Sequence, residues 1–347
     1  AGMKGIDMSR NSRCYSKLRF YIRTFQLGLW LVATTSSLSY ANPTSLSQDE
    51  AFVAAWQDLQ VLADDKMQGR AVGSAGSQLA QDYILAKYAV LGLEPVNGSY
   101  RQSFIHDFSL GKPLTGANLV GMRRGCVNPE HIIVITAHYD HLPMSGRQIF
   151  NGADDNASGV AGLLYLAKKS GEKCPAYSQL FVATDGEERG LFGAKAFWSK
   201  WPQQQNVVLN INLDMISRGE KSSKLYLAGR RTFPQLSELA EQVNTAGYSV
   251  KLVLAHDQRT PLARARTTLE QIDWPNASDH AIFRRAGIPY CYYGVDTHPQ
   301  YHTVDDDWQR IEPAFFQQAL AIIATGWQFA DSQPLAVYQQ LRKEPSD

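Results

Sequence analysis

The chain has few cysteines, no long apolar run and no surplus of either charge. Four cysteines in 347 residues are too few for a scaffold built on disulfides. The apolar run near the N-terminus, FQLGLWLVA, falls well short of the ~20 residues that span a bilayer. A formal net charge of +1 gives no support for a polyanionic partner such as nucleic acid. There is no GxSxG elbow, which argues against a serine hydrolase despite the Ser278-Asp279-His280 triplet. No internal repeat is visible. Hydrophobic residues make up 44% and charged residues 19%, so a sizeable core can form and the chain is not of the disordered class.

The first stretch differs from the rest. Lys4, Arg10, Arg13, Lys17, Arg19 and Arg23 precede the short apolar run, and a polar stretch ends in Ser39-Tyr40-Ala41. A basic region, a short apolar region and a small-x-small site predict a secretory signal over residues 1–41. A membrane anchor and a nucleic-acid-binding basic arm fit less well, so the mature protein is expected to be exported without stable membrane association. Cleavage would take away six of the 34 basic and one of the 33 acidic residues, leaving a net charge of −4. Residues 42–347 read as a single folded domain.

Apolar runs alternate with helical patterns. Strands are expected at 131–137, 179–184, 207–213, 224–228, 251–255 and 288–295. Helices are expected at 48–63, 76–91, 157–169, 190–199, 233–246, 278–286 and 312–329. The Val/Ile-rich strands do not alternate with polar residues, as suits strands buried on both faces. The fold class is therefore α/β: a three-layer αβα sandwich around a mixed, mostly parallel sheet. Cys126 and Cys174 each sit just upstream of similar strands. If those strands are parallel neighbours, the two cysteines meet at one end of the sheet and can form a disulfide worth ~3–4 kcal/mol. Cys291, in IPYCYYGV, reads as a buried thiol. Residues 256–277 lack a period and read as a long loop, a candidate substrate lid.

The chemistry gathers just past the strand ends, where open α/β sheets bind ligands. In ITAHYDH, His138 can bind a metal while Asp140 holds its other ring nitrogen. NGADDNASG precedes a helix and offers Asp154, Asp155 and Asn156. A carboxylate there can bridge two metals. In TDGEERG, Glu187 and Glu188 repel one another unless a cation or a proton intervenes. Glu187 is a candidate general base. Asp214 ends an apolar strand, where an unpaired carboxylate is costly. His302 lies in QYHT. His256, His280 and His298 read as structural or supporting residues. Two imidazoles and three carboxylates suit a pair of zinc ions.

The ordered series His, Asp, Glu-Glu, Asp, His resembles the co-catalytic di-zinc aminopeptidases, family twenty-eight of the metallopeptidases. The likeness runs from about Leu62 to Trp308. It is carried by KMQGRAVGSAGSQLAQDYI, NLVG, ITAHYDH, GADDNASG, FVATDGEERGLFGAKAF, NLDM, SDHAIFRRAGIP and YHTVDD. It implies two Zn²⁺ per chain bridged by Asp155, with His138 and Asp214 completing one site and Glu188 and His302 the other. It implies Glu187 as general base, Asp140 as supporting partner and Tyr301 as oxyanion stabiliser. The substrates implied are peptides cleaved at the N-terminus. Glutaminyl cyclases and glutamate carboxypeptidases are relatives, so cyclisation and carboxypeptidase activity are the alternatives on this fold. Arg218 and the loop arginines Arg259, Arg264 and Arg266, with Arg285, are what a substrate carboxylate would need. A binding protein on this fold would be expected to have lost ligands, and none is missing. Some relatives carry a disulfide before SDH, where this chain has Trp274-Pro275-Asn276-Ala277.

Overall fold

The computed structural model describes residues 49–108, 111–256 and 272–342. The expected signal stretch and most of loop 256–277, including Arg259, Arg264 and Arg266, lie outside them.

All six expected strands form: β4 (Asn128–His138), β5 (Tyr177–Thr184), β6 (Val207–Leu213), β7 (Lys224–Ala228), β8 (Lys251–Leu254) and β9 (Tyr290–Gly294). Three more precede them: β1 (Glu94–Pro95), β2 (Arg101–His106) and β3 (Leu114–Arg123). The sheet runs β1-β3-β5-β4-β6-β9-β7-β8, with β2 also on β3. β5, β4, β6 and β9 are parallel, β3 and β7 run against their inner neighbours, and β8 is parallel to β7. The mixed, mostly parallel centre is as expected. The antiparallel flank β1–β3 was not legible, because LTGANLVGMR breaks its apolar run with Gly116, Asn118 and Gly121. Contact explains two of these residues. A Cβ at Gly116 would press on the Phe104 ring and the Asp185 carboxylate, and one at Gly121 on Leu93 and Tyr88.

Side chains of the central strands alternate between two cores, as the two-residue period of a strand requires. Ile133, Ile135, Phe181 and Ala183 face one core, shared with α1 (Glu50–Leu62), α2 (Ala75–Val90), α3 (Gly159–Glu172), α5 (Leu236–Thr245), α7 (Pro313–Asp331) and α8 (Leu335–Leu341). Ile132, Val134, Leu180 and Val182 face the other, against Phe197 of α4 (Phe192–Lys200) and Phe283 of α6 (His280–Arg285). This is the three-layer sandwich. Asp49 caps α1 by accepting from Ala51 N at 3.0 Å, and Ser74 caps α2 through Ser77 N at 3.0 Å.

Parallel pairing of β4 and β5 brings both upstream segments to one end of the sheet. Cys126 and Cys174 are disulfide-bonded there, with Cα atoms 6.0 Å apart. Cys291 is a buried free thiol. The bond spans 48 residues, and loop entropy alone gives about 4 kcal/mol. A Cys126→Ser/Cys174→Ser double variant is expected to lose about 3–4 kcal/mol in urea unfolding while keeping kcat, because the crevice lies at the opposite strand ends. An unchanged unfolding midpoint would contradict this.

Candidate metal centre

The strand register carries the site. His138 is the last residue of β4 and pairs with Thr184, the last of β5. Asp185 to Glu188 continue from β5, and Asp214 continues from β6. Ahead of α3, residues Ala153–Ser158 form a single wide turn in which Asp155 and Asn156 leave helical geometry. His302 reaches the crevice from the segment after β9, with a positive φ of 57°.

The structure brings the five expected ligands together, and Asp155 lies between the others. Its Oδ1 is 3.4 Å from His138 Nε2, which is also 3.4 Å from Asp214 Oδ1. Its Oδ2 is 3.1 Å from His302 Nε2, which is 3.2 Å from Glu188 Oε1. One carboxylate thus turns one oxygen to each of two groups that could hold a metal: His138, Asp155 and Asp214, and His141, Asp155, Glu188 and His302. Imidazole nitrogens and carboxylate oxygens in two sets a few ångströms across fit zinc in both size and donor type. Charge points the same way. Burial pushes the Glu187 and Asp214 carboxyls up, and each is raised further by the other carboxylates, with His138 opposing. Such a concentration of acid needs cations or protons.

Hydrogen bonds explain why Asp155, not Asp154, faces the crevice. Asp154 is turned inward, accepting from Ser217 N at 2.8 Å and Ser217 Oγ at 2.6 Å, with His298 Nε2 at 3.2 Å. Asp306 accepts from the backbone N–H groups of both Asp154 and Asp155 at 3.1 Å. Asn156 ties the turn to β6, donating to Leu213 O and accepting from Met215 N. That tie also sets the backbone of Asp214.

Asp140 faces both His138 and the acidic pair. His138 Nδ1 meets the Asp140 main-chain carbonyl at 3.1 Å, and the Asp140 carboxylate lies farther away at 3.7 Å. The carbonyl fixes the tautomer that leaves Nε2 free for the crevice. The carboxylate also accepts from the backbone N–H of Glu187 at 3.0 Å and of Glu188 at 3.3 Å. It therefore orients the acidic pair. Tyr301 stacks on the His302 ring at 3.8 Å, and burial with nearby Asp155 keeps its hydroxyl protonated well above its ordinary range.

His280 and His298 are internal supports, whereas His256, expected to be one, is exposed. His280 Nε2 donates to Trp274 O at 2.8 Å, and its ring lies between Tyr290 and Tyr292. Burial pushes its pKa to about 3, so it stays neutral. Asp279 takes a hydrogen bond from the Thr184 hydroxyl, and burial raises it to about 7. Arg218 is committed to Glu220 at 2.6 Å and His298 at 3.3 Å.

Three residues near the centre escaped sequence reasoning: His141, Asp306 and Arg70. His141 Nδ1 is 2.9 Å from Glu188 Oε1. Its signal was the second histidine of HYDH. Arg70 is fully buried and donates to the carbonyls of Tyr139, Leu62, Asn151 and Gly152 at 2.5–3.0 Å. It binds together the backbone on both sides of the centre. Burial lowers its pKa to about 10, opposed by Asp155, Asp306, Asp140 and Glu188. Lone arginines and aspartates in loops carry no period, so neither Arg70 nor Asp306 could be found from spacing.

Residues 118–326 match Peptidase family M28. Aminopeptidase YwaD of Bacillus subtilis is 27% identical over 248 residues, covering 67% of this chain and 49% of that protein. The alkaline phosphatase isozyme conversion protein of Escherichia coli is 29% identical over 168 residues, covering 44% of this chain and 48% of that protein. The chain thus spans about half the length of these curated relatives. Among solved structures, BSAP, a zinc aminopeptidase from Bacillus subtilis, superposes with a TM-score of 0.63 at 16% identity, covering 80% of this chain and 95% of that one. The glutaminyl cyclase of Porphyromonas gingivalis superposes with a TM-score of 0.60 at 21% identity, covering 80% and 98%. At such identities these likenesses establish the fold.

Proposed function

Because the chain belongs to Peptidase family M28, we propose that it is an exported zinc aminopeptidase that removes N-terminal residues from peptides. The observation that carries this reading is the Asp155 carboxylate, with its two oxygens facing two separate sets of ligand atoms. His138 and Asp214 on one side, and Glu188 and His302 on the other, are proposed to hold one Zn²⁺ each. Zinc bound there would polarise the scissile carbonyl and acidify a water molecule.

The chain's own residues do the rest. The Glu187 carboxylate takes a proton from the attacking water and later delivers it to the leaving amine nitrogen. Burial raises its proton affinity, with His138 opposing. The Asp140 carboxylate, bonded to the backbone of Glu187 and Glu188, holds the base in place. Tyr301 is proposed to donate its hydroxyl to the developing oxyanion, supported by its stacking on His302. Glu187 and Asp214 attract the free α-ammonium of the substrate. Residues 42–347 are proposed to be one catalytic domain; its candidate substrate lid, loop 256–277, lies mostly outside the described residues.

Export is supported by the N-terminal signal pattern and by the Cys126–Cys174 bond, which suits an oxidising compartment. No helix among the described residues is long and apolar enough to cross a membrane.

A panel of one peptide in free, N-acetylated and C-amidated forms tests the reading. N-acetylation is expected to remove most of kcat/KM, and C-amidation little. The reverse result, or release of C-terminal residues first, would replace the aminopeptidase with a carboxypeptidase. The paired state of Arg218 speaks against that outcome. Pyroglutamate formation without release of a residue would mark a cyclase.

A further inference from the structure

The ligand series deduced from sequence gives the two metal sites equal shares: one histidine, one terminal carboxylate and the bridging Asp155. The geometry points to an unequal division. We infer that His141 is a sixth ligand, coordinating through Nδ1 the same zinc as Asp155, Glu188 and His302. This inference rests on the two-metal reading above.

The distances carry it. Four ligand atoms at tetrahedral corners about 2.0–2.1 Å from zinc lie about 3.3 Å from one another. His141 Nδ1 is 2.9 Å from Glu188 Oε1 and 3.8 Å from Asp155 Oδ2. His302 Nε2 is 3.1 and 3.2 Å from the same two oxygens. These four edges scatter around the tetrahedral value. The four ligand atoms all lie within 4.8 Å of one another. The two imidazoles meet edge to face, with ring centroids 5.6 Å apart, so both can point at one centre without stacking.

The surrounding backbone is shaped for this ring. His141 is 2% exposed. Gly152 lies against it so closely that a Cβ there would come within 2.5 Å of the ring. Gly152 also has φ +53°, which suits glycine. The turn that presents Asp155 thus packs on the His141 imidazole, and the ring has little room to leave.

The consequence is a division of labour. Zinc with four protein ligands is closed, as in structural sites, whereas zinc with three keeps a position for water or substrate. The His141 site would be the closed one. The His138, Asp155 and Asp214 site would keep the open position. The closed site should fill first and empty last.

The competing role for His141 is a simple hydrogen bond from Nδ1–H to Glu188. His141→Asn separates the two, because an amide nitrogen can replace that donor and is a poor zinc ligand. Zinc is titrated into the metal-stripped full chain against a chromophoric chelator, and X-ray absorption is recorded at one equivalent. The wild type is expected to show two imidazoles on the first zinc, and the variant one. The tighter binding step should weaken more than ~10²-fold in the variant, beyond what loss of an outer partner costs, while the weaker step stays. One imidazole in the wild type at one equivalent, or an unchanged tight step in His141→Asn, overturns the inference. Uptake of fewer than two zinc ions by saturated wild type would instead overturn the two-metal reading. As a second variant, His141→Cys with Co²⁺ should give a thiolate-to-cobalt charge-transfer band if position 141 lies at the metal, and its absence together with native metal uptake contradicts coordination.

Discussion

Glu187→Gln is expected to keep both zinc ions and lose roughly 10²–10⁴-fold in kcat, the range for removal of a general base. The amide preserves the shape and the backbone bond from Glu187 N to Asp140. What it cannot do is accept a proton. KM should rise as well, because a neutral amide attracts the substrate's α-ammonium less than the carboxylate does. Glu188→Gln differs although it is the next residue: its carboxylate lies 2.9 Å from His141 and 3.2 Å from His302, so the change should weaken one metal site. Steady-state kinetics with parallel zinc analysis separates the two variants. Near wild-type turnover of a fully metallated Glu187→Gln protein would remove the assigned base.

Asp155→Ala is expected to abolish activity by damaging both sites at once. The Asp155 carboxylate faces His138 with one oxygen and His302 with the other. Losing it leaves each site one ligand short. The drop in zinc affinity should exceed the ~10–100-fold typical of losing an outer-shell partner, and it should appear in both binding steps. Asp214→Ala is the contrast, since it should weaken only one step. If Asp155→Ala retained one zinc with native affinity, the bridging role would be wrong.

The parts of this molecule legible in the sequence are those that repeat a physical pattern. β4, β5 and β6 are buried on both faces, so their composition alone identified them. Because β4 and β5 are parallel neighbours, the Cys126–Cys174 contact followed from their shared upstream position. The crevice at the strand ends was legible for the same reason, since His138, Glu187, Glu188 and Asp214 all follow apolar strands directly. The flank β1–β3 was hidden because its residues answer to neighbours, as Gly116 does to Phe104 and Asp185. The internal supports were hidden because they act through the backbone. Arg70 binds four carbonyls, Asp306 binds two amides, and the Asp140 carboxylate holds the amides of Glu187 and Glu188 besides facing His138. His141, beside His138 in HYDH, has no spacing signal of its own; only the fold brings it to Glu188.

The central claim is that Asp155 joins two zinc ions in one crevice. It is tested most directly by elemental analysis of the purified, zinc-saturated chain after removal of free metal, with X-ray absorption on the same sample. The expected result is two zinc ions per chain, about 3.5–4 Å apart. A count that stays at one after zinc addition, or two zinc ions with no metal neighbour within that range, would contradict it.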